Sequence, residues 1–231
     1  MRKVAVYAAT RNIYKNMCTA CKSLLMHNVL DRVYFLTEDD TFPEPLPDVI
    51  KCINVSDQAY FPPDGANYNS RWTYMTLMRL ELPELLPDKD RVLWFDVDTI
   101  VQADISELFT VDLGDCYFGA AEEPGRSKRP FIYHNSGVMP IDLAALRDGK
   151  YKQLIKLVNG FKMDFPDQDA INLACQQQIK IISPTYNSCP WTAQPIDAKI
   201  IHFAADRQYN QRFLFTLYEN QSWEAIKCQQ K

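Results

Sequence analysis

Arg91-Val-Leu-Trp-Phe-Asp96-Val-Asp98-Thr-Ile-Val101 is an apolar run interrupted by two carboxylates two residues apart. The apolar part reads as a buried strand. A strand that ends in Asp-Val-Asp presents hard anionic oxygens where a sheet opens to solvent, which suits Mg²⁺ or Mn²⁺ far better than zinc. Aspartate is also common in turns, so the triplet alone could simply end the strand. Two like charges side by side nevertheless resist burial unless something cationic lies between them. A divalent ion in such a place usually accompanies a phosphate.

Outward from this stretch, strand-like apolar runs alternate with helical patterns. Residues 4–9 read as a strand, and residues 14–30 as a helix with Cys18, Cys21, Leu24 and Leu25 on its inner face. Residues 32–36 and 49–55 return to strand. Residues 57–69, with Pro62, Pro63 and Gly65, read as a long loop, a class often functional in compact domains. Residues 72–82 read as a helix that stops before Pro83. This rhythm predicts an α/β fold: a mostly parallel, Rossmann-like sheet flanked by helices.

With 231 residues, of which 47% are hydrophobic and 12% aromatic, the chain can bury a full core, and residues 1–231 are expected to form a single domain. A net charge of −4 and a pI near 5.4 argue against nucleic acid as a partner. Seven cysteines, without compact disulfide-like spacing, point to a reducing, cytoplasmic setting. Cys18 and Cys21 form a C-x-x-C without a second pair, which reads as helix packing. The apolar run after Met-Arg-Lys ends too early, at Thr10-Arg11-Asn12, for a signal peptide. No stretch reaches bilayer-spanning length, which leaves at most peripheral membrane contact. The turn after the first strand, Ala8 to Tyr14, contains no glycine, so neither a P-loop nor the dinucleotide fingerprint is present.

Several segments, in order from Val4 to about Ala204, resemble the retaining glycosyltransferases of family 8, the glycogenin and lipopolysaccharide galactosyltransferase type. Val6-Tyr7-Ala8-Ala9-Thr10 followed by Tyr14 looks like the family's first strand and uridine-binding turn. Arg79-Leu80 before Leu82-Pro83 looks like the helix that precedes the metal strand. Phe95-Asp96-Val97-Asp98-Thr99 matches D-x-D, Asn135-Ser136-Gly137-Val138-Met139 matches N-[SA]-G, and Asp167-Gln168-Asp169-Ala170-Ile171-Asn172 matches D-Q-x-x-x-N. The resemblance implies a GT-A fold and an enzyme that moves a hexose, most simply glucose or galactose, from a UDP-sugar. It also implies a Mn²⁺ or Mg²⁺ ion and retention at the anomeric carbon. The acceptor would be a saccharide, a lipid-linked glycan or a protein.

Residue by residue, the resemblance assigns the metal to Asp96, Asp98 and the late histidine His202, with Asp98 the stronger ligand candidate. A lone histidine after a strand is otherwise often structural. Neutralising charge that develops on a departing diphosphate is the chemistry such an ion supplies. Ala8, Thr10, Tyr14 and Val97 fall on the nucleotide, with Tyr14 able to stack on uracil. Arg79 would reach the donor, although its apolar helix also allows a snorkelling side chain. Asn135, Ser136, Gly137 and Asp169 fall on the sugar end, and Asp167 and Gln168 on the reaction itself. Gln168 would be a carbonyl dipole beneath an oxocarbenium-like centre and Asp167 the charged alternative; a front-face route and a double displacement both remain open. Asp167 and Asp169 also suit a helix N-terminus.

One departure stands out. The family's glycine and Lys-Pro-Trp after the histidine are replaced by Phe203-Ala204-Ala205-Asp206-Arg207-Gln208-Tyr209, with Arg207 as a candidate substitute cation. This motivates an alternative: a noncatalytic nucleotide-sugar-binding protein of the same fold. A nucleotidyltransferase is disfavoured by the missing glycine-rich loop. Residues 122–130 read as a loop able to cover the cleft, and the aromatic tail around Phe213, Phe215 and Trp223 as packing.

Overall fold

In the computed structural model, the described residues are 2–42, 44–124, 131–204 and 212–229. Arg207 and residues 125–130 of the candidate covering loop lie outside them. The chain runs β1 (Val4–Ala8), α1 (Tyr14–His27), β2 (Arg32–Thr37), β3 (Ile50–Asn54), a 3-10 segment (Tyr74–Leu80), α2 (Leu82–Leu85), β4 (Arg91–Phe95) and β5 (Thr99–Val101). It continues through α3 (Ser106–Phe109), β6 (Phe118–Glu122), β7 (His134–Asn135), β8 (Val138–Asp142), α4 (Leu143–Leu146), α5 (Lys150–Gly160) and α6 (Pro166–Ala174). Last come β9 (Ile179–Ile181), β10 (Ile200–His202), α7 (Arg212–Glu219) and α8 (Trp223–Gln229).

The main sheet has the order β3-β2-β1-β4-β8-β6-β7, with β9 added alongside β6. β3, β2, β1 and β4 are mutually parallel, as in half of a Rossmann-like sheet. β8 runs antiparallel to β4 and β6, and β7 antiparallel to β6, while β9 is parallel to β6, so the sheet is mixed. β1 is buried along its whole length because both faces are covered. Its alternating side chains feed two cores. Val4, Val6 and Ala8, with Trp94, pack under the 74–80 segment and α5. Ala5 and Tyr7, with Leu93 and Phe95, pack against α1 and α8.

The structure corrects two local readings. The helix expected over residues 72–82 is a 3-10 segment, and Pro83 lies inside the first turn of α2, where a missing N–H costs nothing. With three residues per turn, the 3-10 winding stacks positions three apart on one edge. Thr73, Thr76 and Arg79 accordingly all face the same cleft. The helix expected to run to residue 30 stops at His27. As expected, the strand from Arg91 ends before the Asp-Val-Asp triplet; beyond it comes a second strand in a different sheet, for β4 belongs to the main sheet and β5, among the described residues, pairs with β10. The chain turns sharply between them at Asp96-Val97-Asp98.

Cys18 and Cys21 are buried free thiols, with Cys18 pushed up to about 12 chiefly by burial, as helix packing requires. Trp223 of the tail is buried against α1, with the Lys22 ammonium 4.9 Å above its ring. Among the described residues no helix is long and apolar enough to cross a membrane.

Candidate active site

A cleft of about 400 Å³ opens at the carboxyl ends of β1 and β4, where open α/β sheets bind their ligands. Asp96 and Asp98 reach it from the turn after β4. His202 reaches it from the end of β10, and strand register is what delivers it: His202 lies opposite Thr99, and Phe203 N–H donates to the Asp98 carbonyl at 2.9 Å. The possible ligand atoms of Asp96, Asp98 and His202 lie within 4.8 Å of one another. His202 Nε2 stands 3.3 Å from Asp98 Oδ1 and 3.8 Å from Asp96 Oδ2. Two carboxylates and one imidazole fit a Mn²⁺ or Mg²⁺ ion, the nitrogen favouring Mn²⁺.

The surroundings orient these groups. Asn187, fully buried, receives His202 at 2.8 Å between Nδ1 and Oδ1, and donates through Nδ2 to Asn135 Oδ1 at 2.8 Å. With Nδ1 engaged, Nε2 is aimed at the carboxylates. Burial opposes charge on His202, but Asp98 outweighs it and holds the imidazole pKa well above its ordinary value. Asp96 is pushed up by burial and by Asp98 and Asp167, while Arg79 and His202 pull it down. Crowded carboxylates around an imidazolium are what a divalent cation would relieve.

Gly137 explains the third residue of the Asn-Ser-Gly segment. A Cβ added there would meet His202 Cε1 at 2.0 Å, so the imidazole lies directly on the glycine. Gly137 also accepts from Asp96 N–H through its carbonyl at 2.8 Å, and donates to Asn135 Oδ1 at 2.9 Å.

Arg79 is 1% exposed and closes the floor of the cleft. Its guanidinium is 2.8 Å from Asp96 Oδ1 and 3.1 Å from Asp167 Oδ2, donates to the Ser136 carbonyl, and lies 4.5 Å from the Trp94 ring centroid. It therefore ties the Asp96 turn to the start of α6. Ser136 N–H donates to Gln168 Oε1 at 2.9 Å and its hydroxyl to Asp167 Oδ2 at 3.0 Å. Gln168 Nε2 and Asn135 Nδ2 both donate to Glu123 Oε2, at 3.2 and 3.1 Å. The carboxamide of Gln168 is thus locked from both ends.

The structure brings most of the expected residues together: Ala8, Thr10, Arg79, Asp96, Val97, Asp98, Asn135, Ser136, Asp167, Gln168 and His202 all line the cleft. Gly137 lies directly behind His202. Tyr14 and Asp169 are placed elsewhere. Tyr14 is 2% exposed, its ring stacked on Phe42 at 4.8 Å and its hydroxyl accepting from Glu38 N–H at 2.8 Å. Asp169 accepts from Tyr133 Oη at 2.5 Å and from Phe165 N–H at 3.1 Å, closing the first turn of α6. Asn187 and Glu123 have no signature in the sequence, since a single Asn in an irregular segment and a Glu at a strand end carry no motif.

Asn187→Ala is expected to leave the fold intact while lowering Mn²⁺ affinity ~10–100-fold, because it frees the His202 ring. Titration calorimetry with Mn²⁺ reads this directly, and an unchanged affinity would remove the positioning role.

A family model described as glycosyl transferase family 8 matches residues 6–208. Glycosyltransferase GlyE of Streptococcus pneumoniae is 27% identical over 199 residues, 80% of this chain and 48% of its own length. General stress protein A of Bacillus subtilis is 29% identical over 135 residues, 52% of this chain and 47% of its own length. The chain spans about half the length of the curated relatives it matches. Among solved structures, galactosyltransferase LgtC in complex with donor and acceptor sugar analogs superposes with a TM-score of 0.74 at 21% identity, over 98% of this chain and 99% of that one. The crystal structure of Streptococcus pneumoniae GlyE gives 0.73 at 20% identity, over 98% of this chain and 62% of that one. These likenesses give the fold as GT-A.

Proposed function

Since the chain belongs to glycosyltransferase family 8, we propose that it transfers a hexose, glucose or galactose, from a UDP-sugar to a hydroxyl acceptor, with retention and with Mn²⁺ or Mg²⁺ bound. The observation that carries this reading is the convergence of Asp96, Asp98 and His202 beside Ser136, Asp167 and Gln168 in one cleft. Asp96, Asp98 and His202 would hold the ion, which supplies charge neutralisation for the leaving diphosphate. Ala8, Thr10 and Val97 line the nucleotide end. Asn135, Ser136 and Asp167 present short polar groups to the sugar hydroxyls.

Gln168 cannot swing, because Ser136 and Glu123 hold its two ends. Its amide would stand as a fixed dipole where positive charge grows on the sugar. Asp167 is paired with Arg79 and bonded by the Ser136 hydroxyl, so its carboxylate is positioned rather than free. This arrangement favours a front-face transfer, in which the departing phosphate takes the acceptor proton and the protein supplies orientation.

The test is a thermal-shift titration with UDP, UDP-glucose, UDP-galactose and the GDP counterparts, each with Mn²⁺ or EDTA. A ligand at a hundred times its Kd stabilises the native state by about 2.7 kcal/mol. The expected shift is UDP-selective, requires Mn²⁺ and grows from pH 6 to pH 8. The sign follows from His202: its raised pKa leaves the metal-free imidazole protonated near neutrality, and a metal must displace that proton. No shift with any nucleotide at millimolar concentration would overturn the reading. Donor binding without sugar release or transfer would leave the noncatalytic binder, the reading that the altered segment after His202 motivates.

A further inference from the structure

Building on the transferase reading of this cleft, we propose that Arg71, Trp72 and Phe165 form its acceptor shelf, and that the acceptor is a sugar bearing an anionic substituent, a phosphate or a uronic acid carboxylate. All three side chains line the cleft. Phe165 stands two residues before Asp167, so the shelf adjoins the sugar end, whereas the nucleotide end lies at Ala8 and Thr10.

The three groups are layered. The Arg71 guanidinium carbon is 4.3 Å from the Trp72 ring centroid and 5.6 Å from that of Phe165, and the two rings are 5.6 Å apart. A guanidinium that stacks through its faces keeps its N–H edge for an oxyanion. The indole is itself anchored, Trp72 Nε1 donating to the Asp164 carbonyl at 3.0 Å. A flat aromatic surface of this kind accommodates the C–H face of a pyranose. Trp191, 48% exposed, brings another indole to the same cleft.

Charge distinguishes the two arginines of the cleft. Arg79 is neutralised by Asp96 and Asp167. Arg71 is exposed, and among the described residues its contacts are the two rings. A cation with no ion pair among the described residues, set beside the sugar end in a chain of net charge −4, selects for an anion at that place. The backbone adds a second mark. Thr73 has φ 63°, a conformation that β-branched residues rarely adopt, at the joint between the shelf and the segment that carries Arg79.

The test titrates the full chain, loaded with UDP and Mn²⁺, with methyl glucoside, methyl glucuronide and glucose 6-phosphate, following tryptophan fluorescence, in wild type and Arg71→Ala. The wild type is expected to bind at least one anionic probe about 10-fold or more tightly than methyl glucoside, as a charge-assisted hydrogen bond implies. Arg71→Ala abolishes that preference while UDP–Mn²⁺ affinity stays within about twofold. The preferred probe distinguishes phosphate from carboxylate. No anion preference in a protein that does bind UDP overturns the acceptor assignment alone. Weakened UDP–Mn²⁺ binding in Arg71→Ala moves the residue to the donor and overturns it too. Failure of the wild type to bind UDP overturns the transferase reading, and the acceptor assignment with it.

Discussion

Asp98→Asn is expected to lower turnover of the nucleotide sugar by about 10³-fold, ~4 kcal/mol of transition-state stabilisation. The substitution keeps shape and removes the charge that a divalent ion needs. The charge it removes is the one that faces His202 Nε2 at 3.3 Å. The backbone contribution of Asp98, its carbonyl accepting from Phe203 N–H, is untouched, so the β5–β10 pairing and the fold should persist. Asp98 and Asp96 repel each other in the metal-free protein, and losing one charge offsets the lost attraction to His202. Metal-free thermal stability should therefore stay close to that of wild type. Mn²⁺ titration calorimetry and release of UDP from UDP-glucose read the two effects separately. A variant that keeps Mn²⁺ affinity and turnover would show that the carboxylate pair is not the ion site.

Gly137→Ala should be nearly as damaging, by a steric route. The new methyl would lie 2.0 Å from His202 Cε1 and 2.4 Å from its Nδ1. His202 is 4% exposed, so the ring cannot move freely into solvent. Any escape breaks the Nδ1 bond to Asn187 or pulls Nε2 away from Asp98. Overpacking of this kind costs about 1–3 kcal/mol of stability, and displacement of a ligand should cost ~100-fold in Mn²⁺ affinity. A double-mutant cycle isolates the clash. In a His202→Ala background, Gly137→Ala should cost little stability, because the ring it strikes is gone. An equal stability loss in both backgrounds would mean that Gly137 matters for some reason other than His202.

Much of this site was legible along the chain. Asp96 and Asp98 stand out because a carboxylate pair at the end of an apolar strand is costly without a cation. The Asn-Ser-Gly and Asp-Gln segments were recognisable as spacings, and the structure sets Ser136 directly against Asp167 and Gln168. Tyr14 and Asp169 show where residue type misleads. Tyr14 beside a binding turn suggests stacking on a base, yet its ring packs on Phe42, because α1 turns that face inward. Asp169 belongs to a segment that suits both a sugar and a helix start, and its bonds to Tyr133 and Phe165 place it in the helix start. The 3-10 winding of residues 74–80 was likewise invisible, since its apolar pattern also fits an α-helix.

By itself the sequence determined the alternation of strands and helices, the carboxylate pair and the polar Asn-Ser-Gly and Asp-Gln segments, because each is written within a few neighbouring residues. Only the tertiary structure decided that His202 stands across from Thr99, that Asn187 orients its ring, that Gly137 makes room for it and that Arg79 is spent on two carboxylates while Arg71 meets two rings. Those relations join residues far apart in the chain. They depend on strand register and side-chain packing, which local propensity does not encode.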